Sequence, residues 1–201
     1  ESVKNVPELR NLGGNEANPY YAPQEIIERE LNAIEMVEDQ RDIFAGIAPE
    51  FQAFPGDEKR EKQAELIHGL LNSKDRFNLF RGVAGAGKTS TLQEFCNGLR
   101  FGGVESIHLI APTNSATDAL RQEVFEQSQT VASFLLRTKD SALQASSVSA
   151  AGPRASTTRS EVLLPPSGSY VIIDESGLNS LREGVEILKL ARANNYRVLF
   201  V

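Results

Sequence analysis

The stretch Gly82-Val83-Ala84-Gly85-Ala86-Gly87-Lys88-Thr89 meets a GxxxxGK[ST] spacing at every fixed position. Each residue type in it suits the binding of a phosphate chain. Glycines at 82, 85 and 87 let the backbone take φ > 0, and with Ala86 between them its N–H groups can come within hydrogen-bond reach of phosphate oxygens. Lys88 adds a mobile positive charge for β- and γ-phosphates, and the Thr89 hydroxyl is a ligand for Mg²⁺. A helix opening at Thr89-Ser90 would aim its partly positive N-terminus at the same oxygens.

A second group supplies what this loop lacks. Tyr170-Val171-Ile172-Ile173 runs into Asp174-Glu175, so two carboxylates stand at the C-terminal end of an expected strand, the edge where open parallel sheets bind ligands. Asp174 suits a Mg²⁺ held opposite Thr89. Glu175 is then placed to orient or deprotonate a water attacking the γ-phosphate, which favours hydrolysis of ATP over transfer to a small acceptor. Alone, an Asp-Glu pair also reads as a helix cap, and only its combination with the loop makes Lys88 and Glu175 catalytic candidates. His68 and His108 stand apart from any second ligand and read as packed or hydrogen-bonded residues.

The elements that must position these groups follow from periodicity. Phe77 to Phe80 reads as a strand entering the loop, and the residues from Thr89 to Phe95 have helical spacing. Gly102-Gly103 breaks the chain before a buried strand, Ile107 to Ala111. Pro112-Thr113-Asn114 turns into a helix carrying Ala116, Ala119, Leu120 and Val124, and a short apolar segment, Val131 to Leu136, follows. Residues 138–169 are rich in Ser, Ala, Thr and Pro and read as an exposed insertion, mildly basic through Arg137, Lys139, Arg154 and Arg159. A helix with Leu181, Val185 and Leu188 then leads to a last strand, Arg197 to Val201. The alternation predicts an α/β fold, a parallel sheet flanked by helices.

Upstream, residues 1–22 mix Asn, Gly and Pro without periodicity and read as loop or linker. Ile27, Leu31 and Ile34 share one face of a helix from Pro23 to about Gln40. Asp57 caps a second helix with Ala64, Ile67, Leu70 and Leu71 on its apolar face and Gln63 beside them. The expected division is a linker and helical appendage over 1–56 and the main domain over 57–201.

Composition narrows the class. The 201 residues, 40% hydrophobic and 24% charged, suit a globular α/β domain with an appendage. Cys96 is the single cysteine, so no internal disulfide or multi-cysteine zinc site is possible, and it reads as a small buried apolar residue. A net charge of −6 means that any contact with DNA must be local. No apolar run approaches the ~20 residues of a membrane span, and the chain reads as cytoplasmic. Its start at Glu1, its lone Met36 and its stop inside an apolar run suggest a piece of a longer protein.

Together these motifs resemble superfamily 1 DNA helicases of the RecD-like group, most closely the helicase part of TraI-type conjugative relaxases, over roughly residues 57 to 201. Gly82 to Thr89 with Ser90 resembles motif I, and Gln63 resembles the family's adenine-reading glutamine. Ala111-Pro112-Thr113 with Ala116 and Leu120 resembles motif Ia, Thr130 to Leu135 resembles motif Ib, and Asp174-Glu175-Ser176-Gly177 resembles motif II. The resemblance implies a RecA-like P-loop domain that uses ATP and Mg²⁺. It also implies that Pro112, Thr113, Asn114, Thr130 and Phe134 contact single-stranded DNA, with helix capping and core packing as the competing reading. Asn114-Ser115 departs from the Gly-Arg usual in motif Ia and removes a phosphate contact. Partners would include other conjugation or relaxosome proteins. A second RecA-like domain would follow Val201 and supply an arginine finger, so these residues alone are expected to bind nucleotide weakly without hydrolysing it appreciably or unwinding DNA. Two other readings stay open: a nucleotide- and DNA-binding module without catalysis, and a P-loop kinase, for which no arginine-rich lid is evident.

Overall fold

The chain separates into two units, Glu1–Asp39 and Gln40–Val201. The structure is a computed structural model, and it describes residues 8–15, 18–82, 87–123, 128–137 and 167–201.

In the first unit, strands β1 (Leu9–Asn15) and β2 (Asn18–Pro23) form an antiparallel hairpin, in register from Leu9 opposite Pro23 to Asn15 opposite Asn18. The loop or linker expected over 1–22 is thus corrected for residues 9–15 and 18–22, while residues 1–7, 16 and 17 lie outside the described residues. Every residue of β1 is exposed, so no buried face imposed the alternation that marks a strand in sequence. The register shifts between Asn11 and Gly13, where the Asn11 side chain accepts from the Gly13 N–H at 2.8 Å. Helix α1 (Gln24–Glu38) follows directly. Of its expected apolar stripe, Leu31 and Ile34 remain more than half exposed, while Met36 is buried.

The second unit is built on a five-stranded, wholly parallel sheet. In chain order its elements are α2 (Glu61–Asn72), β3 (Phe77–Leu79), α3 (Lys88–Phe101), β4 (Ile107–Ala111), α4 (Asn114–Glu123) and β5 (Ser128–Thr130). Helix α5 (131–137), β6 (Tyr170–Ile173), α6 (Leu181–Ala193) and β7 (Arg197–Phe200) complete it. The strand order is β3-β7-β6-β4-β5. β6 is buried at every residue, as a strand covered on both faces must be. The crossovers through α3 and α4 run one way along the sheet and the crossover through α6 runs back, so right-handed connections place them on opposite faces. On the α3 face, Leu92, Phe95 and Leu99 pack with Leu109, Ile172 and Leu199, while Ile67 and Leu71 of α2 close the layer. Phe95 meets Tyr170 edge-on, with ring centroids 5.4 Å apart. Cys96 is fully buried there, and burial pushes its thiol up to about 12. His108 is hydrogen-bonded to Ser106 at 2.8 Å, and burial lowers its pKa.

β5, absent from the sequence-based reading, adds an edge strand only three residues long. Of the insertion expected over 138–169, all but residues 167–169 lies outside the described residues, as does Val124 of the preceding segment.

The compact units divide at 39/40, and residues 40–56 pack into the second of them. The Ile47 N–H donates to Leu71 O at 2.8 Å, and Phe51 packs on Phe101. The Phe44 ring receives the guanidinium of Arg76 at 4.9 Å and that of Arg197 at 4.3 Å. Arg76 is buried yet well satisfied: it donates to Gln40, Asn195 and the carbonyls of Ala191 and Tyr196 at 2.8 to 3.2 Å. A Cβ on Gly102 would stand 2.6 Å from the Ile47 carbonyl oxygen, a backbone atom that cannot swing aside. Gly102→Ala should therefore lower stability by about 1–3 kcal/mol, read as a lower urea midpoint at unchanged m-value.

Because all five strands are parallel, the segments after β3, β4, β5 and β6 emerge at one edge of the sheet. That edge carries the residues singled out above.

Candidate functional site

Gly87 ends the glycine-rich loop in the left-handed region, φ 75° and ψ 32°, and serves as the N-cap of α3. Having no side chain, it caps none of the first N–H groups of the helix, which is the arrangement an anion requires. Its carbonyl is held by the hydroxyls of Ser90 at 2.9 Å and Thr91 at 3.0 Å, and it also accepts the Thr91 N–H at 3.0 Å. Gly82 does not share the positive φ expected of it. It is needed for room: a Cβ there would lie 3.0 Å from Lys88 Cγ, so the stem of Lys88 passes directly over it. Gly85 and Ala86 lie outside the described residues.

Lys88 opens α3, and Thr89 and Ser90 follow in its first turn, all half-buried. Across the sheet edge, Lys88 Nζ stands 3.5 Å from Asp174 Oδ1, with the two side chains 30% and 19% exposed. β7 lies between the strand that enters the loop and the strand that ends at Asp174, and the long lysine side chain spans that gap. Asp174 is fixed at both ends: its N–H donates to Ile110 O at 3.0 Å, and its Oδ1 also accepts the Glu175 N–H at 3.0 Å. Glu175 is exposed and takes a left-handed backbone, φ 51° and ψ 36°, which costs a residue with a side chain on the order of 1–3 kcal/mol. The Thr89 hydroxyl, next in the chain to Lys88, and the Asp174 carboxylate are hard oxygen donors, and that donor set fits magnesium beside a phosphate chain.

Gln63, half-buried beside the α2 stripe, reaches the same place. Its Nε2 lies 3.0 Å from the point a Cβ on Gly87 would occupy. Gln63, Gly87, Lys88 and Asp174 are therefore drawn together from α2, the loop, α3 and the turn after β6. A cleft of about 590 Å³ runs along residues 52–58 with Glu61 and Ala64 of α2, but its walls carry Asp57, Glu58 and Glu61 and exclude the lysine. Its carboxylates make it a poor receptor for phosphate.

The residues expected to meet DNA divide. Thr113 is exposed, and its hydroxyl accepts the Ala116 N–H at 3.2 Å, capping α4, with half-buried Pro112 before it and exposed Asn114 after it. Thr130 is half-buried and caps α5 through the Ser133 N–H at 3.2 Å. Phe134 is 2% exposed. The expectation that it stacks on bases is corrected: its ring is spent on the core and offers no face to a ligand. Sequence reasoning included Ser176 in the motif II resemblance but gave it no role; its N–H and hydroxyl both donate to Val201 O, at 2.9 and 3.0 Å. A serine after two carboxylates carries no signal of that bond.

Among the described residues, no group of His, Cys, Asp and Glu could by itself hold a metal ion, and no helix is long and apolar enough to cross a membrane. A family model described as an AAA domain matches residues 58–201. No curated protein matches the chain.

Proposed function

The chain belongs to the AAA-domain family and is a P-loop nucleoside-triphosphatase domain, and from that premise we propose that it is the first motor domain of an ATP-driven translocase on single-stranded DNA. The observation that carries the proposal is the 3.5 Å approach of Lys88 to Asp174, because it brings the phosphate loop and the acidic strand end to one point. Structural capping pairs have no reason to meet a loop lysine there.

In this reading a triphosphate draws Lys88 away from Asp174 and onto the β- and γ-phosphate oxygens, where backbone N–H groups of the loop and of α3 complete the cradle. Thr89 and Asp174 would hold a magnesium ion, which supplies charge neutralisation between phosphate oxygens. Glu175 orients the attacking water and takes its proton, and Gln63 reads the adenine edge. Closure against a second domain then changes the grip on the strand, so that each hydrolysis cycle advances the protein. Pro112, Thr113, Asn114 and Thr130, on the same sheet edge, are the groups offered to the DNA backbone. The Asn114-Ser115 pair makes that contact weaker than an arginine would.

The resemblance in motif order supports a conjugative relaxase-helicase acting in the cytoplasm with other relaxosome proteins. An ATPase assay on the full-length protein tests the reading. Oligo(dT) should stimulate turnover strongly, and the stimulation should fall as salt rises because phosphate contacts release counterions. Turnover indifferent to DNA but raised by a small phosphate acceptor would make it a kinase. Binding of ATP and DNA without any turnover would make it a non-catalytic module.

A further inference from the structure

Glu175 holds a left-handed backbone conformation that persists only where its surroundings impose it. Two sets of bonds do so. Toward β4, Asp174 anchors the turn by donating to Ile110 O at 3.0 Å and by accepting the Glu175 N–H on Oδ1 at 3.0 Å. Toward β7, Ser176 donates both its N–H, at 2.9 Å, and its hydroxyl, at 3.0 Å, to the single carbonyl of Val201. Behind the turn, the Leu178 N–H closes onto Glu175 O at 3.0 Å.

The anchors differ in what they are free to do. Asp174 Oδ1 also carries Lys88, and it must exchange that partner when a triphosphate and its magnesium arrive. An anchor that changes partners cannot by itself keep its neighbour still. The Ser176 N–H and hydroxyl both go to the main-chain oxygen of Val201, just past β7, which takes no part in that exchange, so their hold persists through it.

The geometry points to Ser176 as a positioning residue: its hydroxyl ties the turn to β7 and keeps the Glu175 carboxylate at the orientation needed to activate water. The inference rests on the reading of Glu175 as the base. It names no new contact with nucleotide, and so separates from that reading by experiment.

The test is steady-state ATP hydrolysis by the full-length protein, in the presence of oligo(dT), for Ser176→Ala, Ser176→Thr and Glu175→Gln. Ser176→Ala should lower kcat about tenfold, the rate equivalent of one lost hydrogen bond, with KM for ATP unchanged and the melting temperature lowered by no more than about the few degrees that one such bond is worth. Ser176→Thr, which keeps a hydroxyl, should restore most of the rate. An unaltered kcat in Ser176→Ala, beside a Glu175→Gln protein that no longer turns over, overturns the positioning role and leaves the base intact. A parallel fall in kcat, rise in KM and loss of thermal stability also overturns it, since the residue is then simply structural. Full activity in Glu175→Gln removes the base itself, and with it the premise.

Discussion

Lys88→Ala weakens the binding of Mg-ATP by about 10- to 100-fold, the worth of charge-assisted hydrogen bonds to phosphate. Two losses combine in that figure. The phosphates lose the cation whose stem passes over Gly82, and Asp174 loses the partner 3.5 Å away that offsets its charge beside an incoming anion. Displacement of a fluorescent ATP analogue measures the change. An affinity equal to that of the unaltered chain would place the triphosphate elsewhere.

Glu175→Gln in the full-length protein lowers ATP turnover by about 10²- to 10⁴-fold, the range for loss of a general base. Binding of Mg-ATP stays unchanged, because the glutamine keeps the size of the side chain while Asp174 keeps its bonds to Ile110 and to the residue 175 N–H. Titration calorimetry beside a phosphate-release assay separates the two quantities. A variant that loses affinity instead of rate would assign Glu175 to holding the nucleotide.

Most of the candidate site was legible because the signals that mark its residues are local. Glycine is the residue that takes φ 75° without strain at position 87, Lys88 follows it directly, and a run rich in β-branched residues brings Asp174 to a strand end. The joining of those halves was only implied, since the insertion of β7 between their strands depends on pairing that no short window records. The same limit hid residues 40–56. Phe44, Ile47 and Phe51 look like loop residues until Arg76, Arg197, Leu71 and Phe101 close around them from distant positions. Phe134 misled for the opposite reason: a motif places an aromatic ring at that position, while burial at 2% decides what the ring can touch. The hairpin over β1 and β2 escaped because strands with solvent along their faces carry no alternation to read.

A crystal structure of the chain soaked with Mg²⁺ and a non-hydrolysable ATP analogue bears most directly on the site. Magnesium coordinated by Thr89 and reached by Asp174, with Lys88 moved from Asp174 to the β- and γ-phosphate oxygens, is the expected result. Nucleotide bound away from residues 82–89, or bound there with Lys88 still paired to Asp174 and no ion between Thr89 and Asp174, would contradict it.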